Sequence, residues 1–459
     1  MYVLYEVLLY LVLLLALPYF LLTGFLRGKY VVNFPVRAGW FRYRAEPHDL
    51  WIHAVSVGET LAAKPVVDEI VRQRPETSIV FTTTTITGQA QARRLYPQAT
   101  VTYFPFDFAF AVRRFLEHHR PRVFATMETE IWPNVTRIAR TSGMRLVLAN
   151  GRISDRSFPR YRAFRMVVGS VLRKYDRILA RETTDRDRFV AMGAPPEIVE
   201  VSGNVKFDYD PDEAPLEIAA QLEEMIGDRK VIVFGSTMAG EDEALLPEIE
   251  GLLAQHRAFA IIAPRKPERF EMVAGLLATS SLRFVRRSEM ELPVTRDPLP
   301  EKLGAGDTAR ATGNGQRATP GDVLLLDTFG ELAKIYRYAT VAFIGGTLVP
   351  SGGHNPIEAA ANGVPVCFGP SMSNFREIAQ VFLRNEAAAE VRTAAEVAEF
   401  AARMIEQPEL QRAWGARARE TVLRNRGASE RTARRIVELL TDGHPERELG
   451  VGPGGRHES

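Results

Sequence analysis

The stretch Ala342–Gly369, AFIGGTLVPSGGHNPIEAAANGVPVCFG, decides how the chain is read. Val341 to Ile344 is an apolar run of the length of a buried strand. Gly345, Gly346, Gly352 and Gly353 follow it, and glycines clustered after a strand let the backbone come close to a ligand. Asn355 and Pro356 then open a helix. Asparagine is favoured at the N-cap and proline in the first turn, so free amides should point at an anion such as a phosphate. Glu358, just inside that turn, is awkward beside a diphosphate but suited to accept hydrogen bonds from a ribose diol. A plain strand–turn–helix corner needs no histidine, asparagine and glutamate together, so His354, Asn355 and Glu358 favour a nucleotide-sugar pocket.

The same scheme extends outward. KVIVFGS, FAIIAP, LRFVRR, DVLLLD, TVAFIGG and VPVCFG are short apolar runs, as are LWIHAVS, SIVFTTT, TVTYFP, RVFATM, RLVLAN, RILA and EIVEVSG after Pro47. Segments between them, such as Thr60 to Arg74 and Ala109 to His118, have helical spacing. Strands alternating with helices predict right-handed βαβ units and parallel sheets. The turn formers and acids of DYDPDEAP mark a boundary between residues 207 and 208. The fold class is therefore α/β, with two doubly wound, Rossmann-like domains, 47–207 and 208–440, and a cleft between them. Ser288 to Gly321, rich in Pro, Gly, Thr and charge, predicts a flexible surface insertion at 288–321. Pro408 to Leu440 reads as a helical finish, and 441–459 as a disordered tail.

A chain of 459 residues with 46% hydrophobic residues can fill two or three cores. Its 58 basic and 56 acidic residues leave a formal charge of +2, which gives nucleic-acid binding no support. The single cysteine, Cys367, sits in an apolar strand, so a disulfide framework is impossible and an inert buried thiol is expected.

Residues 1–26 are almost wholly apolar, interrupted by Glu6 and Pro18, and match the ~20 residues needed to span a bilayer, so they are expected to form an N-terminal membrane anchor helix. Arg27, Lys29, Arg37, Arg42 and Arg44 follow in a basic segment, 27–46, with no acid between Arg27 and Ala45. By the positive-inside tendency the bulk of the protein faces the cytoplasm, and the cluster would be drawn to anionic lipids.

Parallel sheets bind ligands beyond the carboxyl ends of their strands. HAVSVGET places Glu59 where a loop becomes a helix, and the dipole and free amides there should keep it an anion, as a general base requires. His53, mid-strand, reads as a core histidine. METEIWPN offers Glu128 and Glu130, two apart in an extended segment, which crowd each other unless a base or substrate lies between. NGRISDRS supplies Arg152, Ser154 and Arg156, and GNVKFD supplies Lys206; arginine forks and a compact lysine charge suit phosphate groups. APRKPERF puts Pro264 and Arg265 after a strand, and DTFGEL does the same for Phe329, Gly330 and Glu331. The DxD-like pairs at Asp208–Asp210 and Asp185–Asp187 do not end apolar strands, so metal catalysis is discounted.

Together, HAVSVGE, METEIWPN, NGRIS, GNVKFD, PRKPERF, DTFGEL and GGHNPIEAAANGVPVCFGP resemble the bacterial 3-deoxy-D-manno-octulosonic acid (Kdo) transferases over nearly the whole chain after residue 26. The resemblance implies a GT-B glycosyltransferase fold and an inverting enzyme on the cytoplasmic face of the cell inner membrane. Such an enzyme moves Kdo from CMP-Kdo to a lipid A precursor, with 47–207 binding the acceptor and 208–440 the donor. It implies that Glu59 is the base, that Glu128 and Lys206 stabilise the transition state, and that Pro264, Arg265, Phe329, Gly330, Glu331, Asn355, Pro356, Ile357 and Glu358 contact CMP. It calls for no cofactor and no metal. Lys266 and Met238 stand where the family usually has histidine. A nucleotide-sugar 2-epimerase and a non-catalytic membrane-bound nucleotide-sugar binding protein remain the rival readings; the apolar N-terminus and its basic flank speak against the first.

Overall fold

Short, fully buried apolar runs dominate the sheets because parallel strands covered on both faces have no polar side to alternate with. The computed structural model describes residues 2–27, 33–43, 46–211, 214, 216–290 and 322–442, with the backbone alone for 16–27. The chain divides into two units, Met1–Asp208 with Asn425–Ser459, and Tyr209–Arg424.

The first unit holds β1 (Leu50–His53), β2 (Ile79–Thr83), β3 (Thr100–Tyr103), β4 (Val123–Met127), β5 (Arg145–Gly151), β6 (Arg177–Ala180) and β7 (Val199–Val201). They pair in the order β3-β2-β1-β4-β5-β6-β7, all parallel, with Leu50 in register with both Ile79 and Val123. The second unit holds β8 (Lys230–Thr237), β9 (Ala258–Pro264), β10 (Phe284–Arg286), β11 (Val323–Leu325), β12 (Val341–Ile344), β13 (Val366–Phe368) and β14 (Ala388–Glu390), in the parallel order β10-β11-β9-β8-β12-β13-β14. The strand order reverses between β1 and β4 in one sheet and between β8 and β12 in the other. At such a switch point the flanking loops diverge and leave a crevice. Glu59 follows β1, Glu128 follows β4, Glu241 follows β8, and the glycine-rich loop follows β12.

Both faces of each sheet are packed. In the first unit, Trp51, Phe104, Phe115 and Phe124 fill one side, while Ile52, Phe81, Val66 and Ile70 fill the other. In the second, Phe234, Phe343, Leu245 and Phe400 share a core with Cys367, whose thiol is buried as expected.

The helical finish expected from Pro408 to Leu440 is present as two helices. Pro408–Arg424 and Ala428–Thr441 are separate helices, divided at Gly427, whose φ of +89° favours glycine. The last helix packs on the helix Val57–Gln73 and adds Ala433, Ile436 and Leu440 to the core of the first unit. Asp208 secures the return, its carboxylate accepting from the amides of Gly427 and Ser429. The second unit thus ends at Arg424, not at residue 440, and the first residue of the DxD-like pair 208–210 is a helix cap. Asp185 of the other pair is equally structural, accepting from the Ile153 amide.

A helix runs from Tyr2 to Arg27. Among the described residues, no helix is long and apolar enough to cross a membrane, so a membrane anchor is not shown. Of the basic flank, Lys29 and Arg44 lie outside the described residues, and Arg37 donates from Nε to the Phe104 carbonyl and lies 4.3 Å over the Phe106 ring. Within the insertion expected at 288–321, residues 291–321 lie outside the described residues, as does 443–459 of the expected tail.

Candidate functional site

In the first unit, three carboxylates gather at the switch point. Glu59 lies in the first turn of the helix Val57–Gln73 and reaches back, accepting from the Val55 amide at 2.7 Å and from Ser56 Oγ at 3.2 Å. The reach is that of a capping-box glutamate moved one residue back, to the amide before the N-cap Ser56. The dipole was expected to keep Glu59 ionised; instead burial, reinforced by the charges of Glu128 and Glu130, pushes its carboxyl up to about 7. Two hydrogen bonds, one of them long, and a helix end do not offset desolvation plus two like charges.

Glu128 sits just beyond β4 with φ +59°, a left-handed conformation unusual for glutamate. Its amide donates to the Ala149 carbonyl at 2.8 Å, and its carboxylate is held by the Arg181 guanidinium. Burial pushes its pKa up, but Arg181, Lys206 and Arg152 together outweigh burial and hold it below the usual range. Glu130 has no such escort, and burial and Glu128 raise it. The crowding of the two glutamates is thus resolved by opposite shifts, with cations on one side only.

Lys206 lies in the 3-10 turn Val205–Phe207, and its amide donates to Asn204 Oδ1 at 3.1 Å. Arg152 is placed by a mutual pair with Thr129, whose Oγ1 accepts from the Arg152 amide at 3.0 Å. Ser154 is engaged locally, 2.8 Å from Ser157 Oγ at the start of the next helix. His53 is a core residue: its Nδ1 is 3.0 Å from the Thr82 carbonyl, its ring stacks on Phe104, and burial lowers its pKa to about 3. Arg181, missed in the sequence, is the main partner of Glu128; it follows β6 directly, the position where every other candidate was sought.

In the second unit, another missed residue organises the pocket. Glu241, fully buried in the first turn of the helix Glu241–Gln255, accepts from the amides of Met238, Gly346, Thr347 and Leu348 at 2.9, 2.6, 2.8 and 2.9 Å. One carboxylate therefore fixes the loops after both β8 and β12. Gly346, at φ +69°, has the His354 ring where a Cβ would lie, at 2.9 Å. Burial and the charge of Arg265 lower His354 to about 4, so it is a neutral imidazole. Burial raises Glu358, against the opposing influence of Asn355 and Arg265.

The helix expected at Asn355 comprises only Ile357–Ala361, with Pro356 at its N-cap. Asn355 stands one residue earlier, accepting from the Ile357 amide and donating to Glu358 Oε1, both at 3.1 Å. Ile357 itself points into the core. Arg265 is exposed just beyond β9, its amide donating to the Thr237 carbonyl, and Pro264 ends the strand, buried. Phe329 is 58% exposed and 5.5 Å from the Phe270 ring, an open aromatic surface beside Gly330 at φ +90°. Both oxygens of Glu331 are taken, one by Arg287 at 2.9 Å and the other by Thr328. Among the described residues, no group of three or more His, Cys, Asp or Glu side chains is arranged to hold a metal ion.

The sequence profile of the family described as 3-deoxy-D-manno-octulosonic-acid transferase (kdotransferase) matches residues 33–209. The chain is 32% identical over 398 residues to the 3-deoxy-D-manno-octulosonic acid transferase of Haemophilus influenzae, covering 86% of this chain and 87% of that protein. The chain belongs to the Kdo transferase family. A second transferase of that name, from Bordetella pertussis, is 34% identical over 427 residues, covering 90% of this chain and 93% of that protein. In fold, this Kdo transferase is similar to a UDP-GlcNAc 2-epimerase from Neisseria meningitidis bound to UDP-GlcNAc, with a TM-score of 0.54 over 86% of this chain and 99% of that one. At 12% identity that likeness speaks for fold alone. The two seven-stranded parallel sheets of the transferase fit the GT-B glycosyltransferase fold.

Proposed function

We propose that the transferase takes Kdo from CMP-Kdo and gives it to a hydroxyl of a lipid A precursor, with inversion, at the cytoplasmic face of the inner membrane. The observation that carries this reading is the contrast between Glu59, raised to about 7, and Glu128, held ionised beside Arg181 and Lys206. Two carboxyls driven apart in proton affinity mark a division of roles. Glu59, poised near neutrality, removes the proton of the acceptor hydroxyl. The freed oxygen forms a bond to the anomeric carbon of Kdo as the bond from that carbon to the phosphate oxygen breaks, and CMP departs with the electron pair. The Lys206 cation, oriented by Glu128, stabilises charge developing in the transition state.

In the second unit, Arg265 and the neutral His354 serve the phosphate, Phe329 stacks on the base, and Glu358, steered by Asn355, accepts from the ribose hydroxyls. Gly330, Pro356 and the ion-paired Glu331 shape that pocket. The N-terminal helix and the basic residues after it seat the enzyme on anionic lipid. The test is incubation of the detergent-solubilised protein with CMP-Kdo and tetra-acylated lipid A precursor. A Kdo-bearing lipid and free CMP are expected; intact protein that yields neither overturns the reading.

A further inference from the structure

Among the described side chains of the N-terminal helix, those that meet the first unit lie on one stripe. Tyr2, Tyr5, Glu6 and Tyr10 fall at helical spacings of three, one and four, hence on one face. Tyr5 Oη donates to Asp107 Oδ2 at 2.8 Å, and Glu6 Oε1 accepts from the Ala109 amide at 3.0 Å while Oε2 accepts from Asn134 Nδ2 at 2.5 Å. Around this polar centre, Tyr10 lies 5.1 Å from the Phe108 ring, and the Arg137 guanidinium lies 5.1 Å over Tyr2. The opposite face, with Leu4 at 73% and Leu15 at 72% exposure, is left outward.

What Glu6 and Tyr5 grasp is the start of two helices. Ala109 opens the helix Ala109–His119, and Pro133 opens the helix Pro133–Thr141; neither has a side-chain cap from its own N-cap residue, Phe108 or Trp132. Asp107 caps the second instead, accepting from the Asn134 amide at 3.2 Å and the Val135 amide at 2.7 Å, while Asn134 Nδ2 also donates to the Asp107 carbonyl at 2.7 Å. Glu6 thus bridges both helix starts. Between β4 and the helix Pro133–Thr141 there is only the loop Glu128–Trp132, which carries two of the three site carboxylates.

We propose that Glu6, with Tyr5, is a positioning residue: by clamping the starts of the helices at Ala109 and Pro133, the N-terminal helix holds the Glu128–Trp132 loop in register with Glu59. The N-terminal helix is then a part of the catalytic unit as well as a means of attachment. Glu6 accepts from two N–H donors, so neither alanine nor glutamine can replace it: alanine accepts nothing, and a glutamine amide turns a donor toward a donor.

The inference rests on the assignment of Glu59 as base. The full-length Glu6→Ala and Tyr5→Phe proteins are compared with wild type and with Leu8→Ala, a control on the outward face, at equal membrane-bound amounts. For Glu6→Ala a fall in kcat of about tenfold is expected, as for a misplaced catalytic group, with KM for CMP-Kdo unchanged. Because Glu130 helps hold the Glu59 pKa high, loosening its loop also moves the acidic limb of the pH–rate profile to lower pH. Tyr5→Phe shows the same changes, smaller. An unchanged limb with unchanged kcat, or a loss matched by Leu8→Ala, overturns the proposal. Activity retained in Glu59→Gln would instead sink the base assignment, leaving the kcat loss in Glu6→Ala to be judged separately.

Discussion

Arg181 Nη2 donates to Glu128 Oε1, and the arginine is the more deeply buried partner, with 3% of its side chain exposed against 28% for the glutamate. Arg181 is further fixed from Nε to the Asn150 carbonyl at 3.2 Å. The cation is therefore structural scaffolding for the carboxylate. Replacing it with methionine leaves Glu128 in a desolvated corner with weaker compensation. Arg181→Met is expected to cost about 2 kcal/mol in chemical denaturation and to lower kcat at least tenfold, whereas an equal loss in Arg122→Met, at the amino end of β4, would show that only general stability is being read.

Removing a neighbouring negative charge makes a carboxyl easier to ionise. The base must be ionised to act, so the transferase rate should rise with pH through about 7, where the Glu59 carboxyl stands. Glu130→Gln lowers the Glu59 pKa and moves that rise to lower pH, leaving the plateau rate nearly unchanged. A pH–rate profile of the two proteins measures it; an unmoved limb means that Glu59 does not set it.

The same shift has a sign for stability. The folded state binds the Glu59 proton more tightly than the unfolded chain does, with the carboxyl at about 7 against an ordinary 4.5. Stability from this group is thus greatest at low pH and falls as pH rises between those values. Glu59→Gln, which keeps one acceptor for the Val55 amide, should be more stable than wild type above pH 7 while inactive. Thermal unfolding of both proteins from pH 4.5 to 8 gives the comparison.

Glu241 offers a contrast in the second unit. Its carboxylate is the common acceptor of four amides on two loops, so Glu241→Ala orphans several buried donors at once. A loss of about 3 kcal/mol or more and a large fall in CMP affinity by calorimetry are expected together. Phe329→Ala, at an exposed site, should weaken CMP binding about tenfold with almost no effect on stability.

The strands were legible because burial on both faces writes them as apolar runs. β14 was not, since Ala388–Glu390 offers two small residues and an acid, and its identity as a strand comes from pairing with β13. The return of the last helix to the first unit was illegible for a similar reason: periodicity shows that Ala433, Ile436 and Leu440 share a face, and only the folded chain shows that the face meets Val66 and Ile70. Among the site residues, Glu59 and Glu128 stood out by following strands beside a turn. Arg181 and Glu241 also follow strands, yet each does its work on the backbone or on another charge, and such partners are set by tertiary contact. The raised Glu59 pKa was misjudged because the helix end is visible in sequence, while burial and the nearness of Glu130 are not.

The most direct test is the rate of Kdo transfer by Glu59→Gln from CMP-Kdo to tetra-acylated lipid A precursor, measured beside its affinity for CMP. A loss of about a thousandfold or more in kcat with CMP affinity unchanged is the result expected of a general base that takes no part in holding the nucleotide. Transfer within a few-fold of wild type would contradict it.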